Sequence, residues 1–340
     1  MAQDRIHLIA PAGSCRPFIE QAGFGSAAEF IDHIASVVGD DYEVTGDADI
    51  IVASEDEMHG GRTDDRRRAA DIQGALADDR VVAILGIRGG AWMTRVIPLI
   101  DFSVLDNRTR TVTVFGFSEL TTLVNIVAAH PMGAGVYDMC PAFLTYALKR
   151  YARQHREGGP GLVADAVTAE RLMAEYDDHL RDVMAMIEGR GSKRRLFAEL
   201  VRGSEPDDGE VTFCGGNLVV FSMLFGSPHE RDVCPAGRWV VLEDINEKVE
   251  RIDRFFAHLG LCGLWDRCAG VLVGDFHLRG TTLTDAALEL LAYHLPCDRD
   301  LPVMRTDLVG HCWPMSPLPL QTPLVFERVE GQRVEIRSPR

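Results

Sequence analysis

Short β-branched runs alternate with helical patterns through the first third of the sequence, and this alternation limits the fold more than any other feature. The runs at Ile6 to Ala10, Ile50 to Ala53, Val81 to Ile87 and Thr111 to Phe115 are typical of strands. Helical patterns lie between them, such as Ala27 to Val38, whose apolar residues recur on one face. Strands that are apolar on both faces and separated by helices indicate a parallel sheet between helical layers. We therefore predict an α/β fold for this part of the chain.

The length of the chain, 340 residues, exceeds the size at which one hydrophobic core keeps growing. Its character changes over residues 152–207, where Glu157-Gly-Gly-Pro160 is followed by charged helical sequence and a second loop-like stretch. We predict an N-terminal α/β domain over residues 1–151, connecting helices and loops over 152–207, and a C-terminal domain over 208–340. The C-terminal domain combines strand and helix patterns, so we expect a mixed α/β arrangement there.

Charge and hydropathy exclude two classes of partner. The chain carries 35 basic and 51 acidic residues, a net charge of −16 that repels phosphate backbones, so we expect no nucleic-acid partner. The longest nearly uninterrupted apolar stretch, Leu218 to Phe225, is far shorter than the ~20 residues of a membrane-spanning helix, so we expect no membrane partner. The start Met1-Ala-Gln-Asp-Arg5 lacks the pattern of a secretory signal, which predicts a cytoplasmic location.

The sequence offers no pattern for a metal or a cofactor. The eight cysteines include no Cys-x-x-Cys pair, and Asp275 and His277 have no further ligands near them in sequence. The stretch Gly23 to Ala28 matches a dinucleotide-binding fingerprint, but Pro11 to Ala22 separates it from the strand that such a fingerprint must follow. We therefore interpret it as the N-terminus of a helix, and we predict reduced cysteines, no metal and no cofactor.

Three groups of polar residues and glycines stand where predicted strands end, and a fourth lies in a predicted loop. Arg88-Gly-Gly90 and Ser118 each follow a strand, Glu243 ends another beside Asp244, and His311 lies in a glycine-flanked loop. Ligands bind beyond the carboxyl ends of strands in parallel α/β sheets. Each feature also has a structural interpretation: a tight turn for the glycines, a helix cap for Ser118 or Asp244, and a surface position for His311. For each feature taken singly, the structural interpretation is as good as the functional one or better.

The order of the motifs changes this balance. Arg88-Gly-Gly is followed by Gly116-Phe-Ser-Glu119, Gly215-Gly-Asn-Leu218, Leu242-Glu-Asp-Ile-Asn-Glu-Lys248 and Gly310-His311. In this order they resemble the LD-carboxypeptidase family of serine peptidases, which includes murein tetrapeptide carboxypeptidases and microcin C self-immunity peptidases. The resemblance covers nearly the whole chain. With the strand pattern, it leads us to expect an N-terminal flavodoxin-like parallel sheet flanked by helices and a second, mixed α/β C-terminal domain.

The resemblance implies a Ser-His-Glu triad. Ser118 would be the nucleophile, His311 the general base and Glu243 the acid that orients the histidine, with the site in the cleft between the two domains. Such a division is chemically sensible, because a serine hydroxyl needs a base within hydrogen-bond reach and the base needs an acceptor on its other nitrogen. The backbone N–H groups of Gly90 and Glu119 would form the oxyanion hole.

The chain departs from the family pattern at positions beside this expected site. Ala91-Trp92 replaces an aromatic residue and glycine, Glu119 replaces aspartate, Met139-Cys140 lies where a His-Gly-Pro segment is usual, and Cys312-Trp313 replaces smaller residues. We therefore expect unchanged chemistry, and these departures leave the identity of the substrate open. Trp92 and Trp313 would either wall the pocket or pack the domain interface, and Arg88 or Arg95 could pair with a substrate carboxylate. The residues that we expect to bind substrate are Arg88, Gly89, Trp92, Arg95 and Trp313.

Three functions are compatible with this pattern. The favoured one is removal of a terminal D-amino acid from a small murein-derived peptide by a homodimeric enzyme in peptidoglycan recycling. A microcin C immunity-type peptidase, acting on an aminoacyl-nucleotide mimic, would favour an aromatic platform for the base, yet no tryptophan lies between Trp92 and Trp239. A non-catalytic peptide-binding homologue would have no reason to keep Ser118, Glu243 and His311 together.

Overall fold

The computed structural model describes residues 3–53, 62–154, 168–206 and 209–339. One of its two sheets contains strands β1 (Asp4–Ile9), β2 (Tyr42–Gly46), β3 (Val81–Gly86), β4 (Val112–Gly116), β5 (Gly133–Tyr137) and β13 (Leu318–Leu320). The strand order is β13-β5-β4-β3-β1-β2, in which β1 to β5 are all parallel and β13 is antiparallel to β5. The order 2-1-3-4-5 is that of a flavodoxin-like sheet, which confirms the predicted α/β fold.

Helices and 3₁₀ turns connect these strands. Ser26 begins the helix Ala27–Val38 by accepting a hydrogen bond from the backbone of Glu29, so the region that matches the dinucleotide fingerprint is a capped helix N-terminus. The helices are Arg16–Gln21, Ala27–Val38, Ala48–Val52, Arg62–Ala77, Met93–Val96, Thr121–Ala128 and Leu144–Gln154; the 3₁₀ turns are Ile97–Leu99, Phe102–Asn107, Ser118–Leu120 and Pro141–Phe143.

The predicted strand at Ile50 to Ala53 is wrong. Those residues belong largely to the helix Ala48–Val52, and the strand of this region is β2, Tyr42–Gly46. The Asp47 carboxylate caps the helix by accepting hydrogen bonds from the backbone N–H groups of Asp49 and Ile50. Because β2 is at the edge of the sheet, all five of its residues are only half-buried, and its sequence lacks the apolar run of an internal strand.

The other sheet has nine strands and is mixed. Its strands β8, β9, β10 and β12 run parallel, and the remaining pairs are antiparallel. The strands are β6 (Leu196–Arg202), β7 (Glu210–Val211), β8 (Phe213–Asn217), β9 (Trp239–Ile245), β10 (Gly270–Leu278), β11 (Thr281–Thr282), β12 (Val303–Gly310), β14 (Leu324–Glu330) and β15 (Arg333–Arg337). The helices are Ala169–Ile187, Leu218–Ser222, Glu230–Val233, Val249–Leu261, Leu264–Arg267 and Thr284–His294. This confirms the expected second, mixed α/β arrangement.

Strand β6 lies within the stretch predicted as a connection, yet it is an internal strand that pairs with β12 and β15. The Glu157-Gly-Gly-Pro160 loop predicted in the same stretch lies outside the described residues. Within the described ranges, none of the helices has both the length and the apolar character needed to cross a bilayer.

Contacts between the two sheets are specific and polar as well as apolar. The side-chain amide of Asn125 donates to the carbonyl of Gly215 at 2.8 Å and accepts from its N–H at 2.9 Å. The Thr121 hydroxyl accepts from the backbone N–H of Asn217 at 3.1 Å. These bonds join the helix that follows β4 to β8, and they therefore hold the carboxyl-end turns of the two sheets in a defined relation.

Candidate active site

Ser118 lies two residues after the end of β4 and has a backbone φ of 58°, in the left-handed region that non-glycine residues rarely adopt. A serine on such a sharp strand-to-helix turn projects its hydroxyl from the end of the sheet. The turn after β3 lies directly against it: a Cβ added to Gly89 would be 2.9 Å from the Ser118 Cβ. Only glycine permits this approach, which explains why the Arg-Gly-Gly turn and the serine occur together.

His311 follows β12, and Glu243 lies near the carboxyl end of β9. Nε2 of His311 is 3.1 Å from the Ser118 hydroxyl, and its Nδ1 is 2.6 Å from Oε2 of Glu243. Glu243 is fully buried and His311 is 2% exposed. Because a carboxylate only accepts hydrogen bonds, Nδ1 carries a proton, and in a neutral imidazole Nε2 is then the acceptor for the serine hydroxyl.

Gly310 allows the close approach of the histidine loop to β9. Its φ is 115°, and a Cβ at this position would be 2.9 Å from both Cβ and Oε2 of Glu243. Any side chain here would displace the carboxylate that orients the imidazole. The glycine before His311 is therefore a packing requirement of the hydrogen-bonded chain.

Tyr137, the last residue of β5, is a site residue that sequence reasoning missed. Its hydroxyl donates to Oε1 of Glu243 at 2.6 Å and accepts from the backbone N–H of Ser118 at 3.1 Å. Burial, and then the charge of Glu243, raise the pKa of Tyr137 well above its usual value, so the phenol stays protonated and remains a donor. The only sequence signal was its position at a strand end, directly opposite Gly116 in the β4–β5 register.

Asp244 does not cap the next helix, contrary to the sequence-based interpretation. It lies inside β9, where its carboxylate accepts hydrogen bonds from the backbone of Ile245 and Val219, and the helix begins only at Val249. Burial, and then the neighbouring charge of Glu243, raise its pKa to about 7. Glu247, the other acid of this segment, forms an ion pair with Arg251 at 2.7 Å.

Gly90 and Glu119 lie on the two adjacent turns. A Cβ on Gly89 would be 3.6 Å from the backbone nitrogen of Glu119, and Gly90 has a φ of 135°. The Glu119 side chain accepts a hydrogen bond from the backbone N–H of Met93 at 2.9 Å, which ties the turn after β4 to the helix after the glycine turn. Burial raises the pKa of this carboxyl to about 7, although hydrogen bonds from the backbone of Met93 and Thr94 oppose the shift.

The residues predicted to bind substrate have several different surroundings. Arg88 is half-buried and donates to the backbone carbonyl of Ser14. Arg95 forms an ion pair with Asp65, at 2.6 Å from its Nη2, and its guanidinium lies 5.4 Å from the centre of the Trp92 ring. Trp92 and Trp313 are both half-buried, and Trp313 packs against the hydrophobic core. The structure therefore brings Arg95 and Trp92 together and engages Arg95 with an acidic partner.

Aromatic side chains surround the His311 ring. The rings of Phe117 and Phe143 each lie with their centres 4.8 Å from the centre of the imidazole. Because these contacts limit rotation about the side-chain bonds, they hold Nε2 towards Ser118. Among the residues that the structure describes, no three His, Cys, Asp or Glu side chains are grouped so as to hold a metal ion.

A serine hydroxyl, an imidazole and a buried carboxylate linked in this order form the arrangement of a serine hydrolase. Comparison with known proteins defines the class further. Residues 6–137 match the N-terminal domain of LD-carboxypeptidases, and residues 210–325 match their C-terminal domain. The chain belongs to the LD-carboxypeptidase family, and it is a serine carboxypeptidase-like hydrolase.

Individual relatives agree with this assignment. A Bacillus subtilis protein named as a probable murein peptide carboxypeptidase is 27% identical over 284 residues, covering 79% of this chain and 76% of its own. The crystal structure of muramoyltetrapeptide carboxypeptidase from Oxalobacter formigenes superposes with a TM-score of 0.62 at 18% identity, covering 98% of this chain and 99% of that one. An MccF-like protein from Streptococcus pneumoniae, solved with AMP, gives a TM-score of 0.65 at 17% identity and the same coverage. At these identities the two structures establish the fold alone.

Proposed function

We propose that this protein is a serine carboxypeptidase that removes a terminal D-amino acid from murein-derived peptides by means of a Ser118-His311-Glu243 triad. The observation that carries the proposal is the continuous hydrogen-bonded chain from Glu243 through His311 to Ser118, which is contributed by both sheets. The murein substrate is supported by the name of the Bacillus subtilis relative.

In the acylation step, Nε2 of His311 takes the proton of the Ser118 hydroxyl while the oxygen attacks the carbonyl carbon of the last peptide bond. A C–O bond forms and the carbonyl becomes an oxyanion. When this tetrahedral intermediate collapses, the C–N bond breaks, and His311 gives its proton to the leaving amine of the terminal amino acid. Glu243 stabilises the imidazolium that exists between these two proton transfers.

Water completes the reaction. After the amino acid leaves, His311 removes a proton from a water molecule, whose oxygen attacks the ester carbonyl of the acyl-enzyme. Collapse of the second tetrahedral intermediate breaks the bond to Ser118, and the proton returns from His311 to the serine oxygen. The products are the shortened peptide and a free amino acid, and the enzyme is regenerated.

The oxyanion would be bound by the backbone N–H groups of Gly90 and Glu119. They belong to turns that lie beside the Ser118 hydroxyl, and backbone donors in fixed turns need no reorganisation as charge develops. The Glu119–Met93 hydrogen bond supports this role, since it holds the two turns in register.

Substrate recognition would use Arg88, Gly89, Trp92, Arg95 and Trp313. Arg95 is the candidate for pairing with the terminal carboxylate of the substrate, and Trp92, which its guanidinium faces, would form a wall of the pocket. A substrate carboxylate has to compete with Asp65 for this guanidinium. Asp65 stays beside the guanidinium when a substrate carboxylate binds, so binding adds one negative charge to this part of the site.

We further propose that the enzyme acts in the cytoplasm, in peptidoglycan recycling, as a homodimer. The division into an N-terminal domain (1–151), a connection (152–207) and a C-terminal domain (208–340) is part of the same proposal, with strand β6 of the connecting stretch belonging to the second sheet. It gives the nucleophile to the first domain and the base and acid to the second.

Mass spectrometry of products from a panel of murein tri-, tetra- and pentapeptides tests the proposed function. The expected result is loss of one terminal D-amino acid from the tetrapeptide, by the wild type but not by Ser118→Ala. A microcin-type peptidyl-nucleotide conjugate belongs in the same panel. Exclusive cleavage of that conjugate would overturn the murein assignment and favour an immunity-type peptidase, and binding without cleavage of any member would favour a non-catalytic homologue.

A further inference from the structure

A second buried polar network lies behind the histidine loop, and the triad does not use it. Arg150 and Tyr146 are one turn apart on the helix Leu144–Gln154, and Asp275 and His277 are two residues apart on β10. Side chains four residues apart on a helix share a face, as do side chains two residues apart on a strand, so the two pairs can meet. Asp275 and His277 are the pair for which the sequence analysis found no further metal ligands nearby.

The inner part of this network is an ion pair between the two domains. Nη2 of Arg150 lies 2.8 Å from Oδ1 of Asp275, and Nη1 donates to Oδ2. Both side chains are buried. Although burial disfavours its charged form, hydrogen bonds from His277 and Arg150 lower the pKa of Asp275 to about 2, so the pair is ionised at neutral pH.

The outer part orients the carboxylate. Nδ1 of His277 is 2.8 Å from Oδ2 of Asp275, and its Nε2 is 3.1 Å from the Tyr146 hydroxyl. Because Asp275 is an ionised acceptor, Nδ1 of His277 is the donor of the first bond, and Nε2 of the same ring bonds to the Tyr146 hydroxyl. His277 therefore links the helix Leu144–Gln154 to the Asp275 carboxylate.

The network ends at the histidine loop, which carries His311. Nη1 of Arg150 also donates to the backbone carbonyl of His311 at 2.9 Å. In this orientation of the guanidinium, Nε of Arg150 is buried and has no hydrogen-bond partner among the described residues. A buried unsatisfied donor is unfavourable, so the orientation of the guanidinium is set by the carboxylate and the carbonyl together.

We infer that Arg150, held by Asp275, is a positioning residue that fixes the His311 loop through its backbone carbonyl. The inference rests on the proposed function, in which Nε2 of His311 must stay within hydrogen-bond reach of Ser118. Glu243 fixes the ring through its side chain, and Arg150 fixes the same residue through its main chain. Arg150 belongs to the same domain as Ser118. By holding the His311 loop, it therefore also fixes the position of the base relative to the nucleophile across the domain boundary.

Arg150→Met is the test, and Arg108→Met is the matched control. Arg108 is also a buried arginine that donates to backbone carbonyls, those of Leu76, Asp78, Val81 and Arg110. These carbonyls belong to residues at or near the amino ends of β3 and β4, whereas Ser118 follows the carboxyl end of β4. Both variants should lower the melting temperature, and only one of them should affect the site.

We expect Arg150→Met to lower kcat for tetrapeptide hydrolysis by at least ~10-fold with KM within ~2-fold, since small misplacements of a catalytic group cost this much or more. The downfield proton resonance of the His311 Nδ1–H should shift or broaden in the same variant. Arg108→Met should keep the wild-type kcat and resonance. Wild-type values of both in Arg150→Met, or an equal loss of kcat in Arg108→Met, would overturn the inference.

Arg150→Lys covers the case in which Arg150→Met does not fold. Lysine keeps the charge beside Asp275 but has no planar fork to hold the carboxylate and the carbonyl together. It should therefore fold and still show the reduced kcat and the altered resonance, and a wild-type result would contradict the bridging role. If the wild-type protein hydrolyses no peptide, the proposed function fails, while the resonance still reports whether Arg150 positions His311.

Discussion

Replacement of Glu243 by glutamine tests the role of the buried carboxylate with almost no change of shape. In the native site its two oxygens accept hydrogen bonds from Nδ1 of His311 and from the Tyr137 hydroxyl, each at 2.6 Å. The glutamine side chain has only one acceptor oxygen. If that oxygen faces Tyr137, the amide donates to Nδ1 and the imidazole must carry its proton on Nε2, where it can no longer accept from Ser118.

The loss of the negative charge of Glu243 determines how far kcat should fall. At an effective dielectric constant of about 20, a carboxylate about 4 Å from an imidazolium contributes about 4 kcal/mol. That is the stabilisation of the protonated base that Glu243→Gln removes, so we expect kcat to fall by about 10³-fold. The tautomer with the proton on Nε2 of His311 would lower kcat further.

Steady-state hydrolysis of the tetrapeptide, followed by chromatography of the released amino acid, measures this effect. Glu247→Gln is the matched control, since Glu247 is in the same segment and pairs with Arg251. It should keep kcat within ~2-fold of the wild type, because a partly exposed ion pair of this kind contributes little. A kcat for Glu243→Gln within tenfold of the wild type, or a larger loss in Glu247→Gln, would refute the reasoning.

Three further predictions concern neighbouring residues. Tyr137→Phe removes a donor to Glu243 and leaves the Ser118 N–H without its acceptor, so the free energy of unfolding in urea should fall by about 1–3 kcal/mol and kcat should fall by at least ~10-fold; unchanged values of both would exclude the bridging role. Asp244 has a native pKa of about 7 against a reference of 3.8, so its native carboxyl holds its proton more tightly than the unfolded one, and wild-type stability should decrease as pH rises from about 4 to about 7. In Asp244→Asn this decrease should be smaller by up to about 4 kcal/mol in urea melts across that range, and identical pH profiles would contradict the assignment. Trp92→Gly suits the backbone φ of 76° and should change the relative rates among peptides without loss of melting temperature, whereas unchanged selectivity would exclude a pocket wall.

Local sequence patterns were sufficient where a strand is internal and ends in a turn. The turn glycines, Ser118 and Glu243 stand at the ends of apolar strands, but only the resemblance of the motif order to the LD-carboxypeptidase family grouped them as one site. Strand β2 could not be found in this way, since an edge strand is only half-buried, and Ile50 and Ile51 of the helix beside it are buried and β-branched. Local propensity competes with tertiary packing in such short segments, and packing decides.

Site residues whose partners are distant in sequence could not be predicted from local sequence patterns. Tyr137 touches Glu243, 106 residues away, and Arg150 touches His311, 161 residues away. Neither position carries a local motif, because their partners are brought together only when the carboxyl ends of two different sheets meet. Asp275 and His277 were visible as a pair, but the arginine that explains them belongs to the other half of the chain.

The central claim is that Ser118 forms a covalent bond to the substrate, and acid-quenched mass spectrometry measures this most directly. Wild-type protein mixed with the murein tetrapeptide should carry an adduct equal to the shortened peptide minus water, and peptide mapping should locate it on Ser118. Variant Ser118→Ala should carry no adduct and release no amino acid. An adduct on another residue, or turnover in Ser118→Ala close to that of the wild type, would contradict the account.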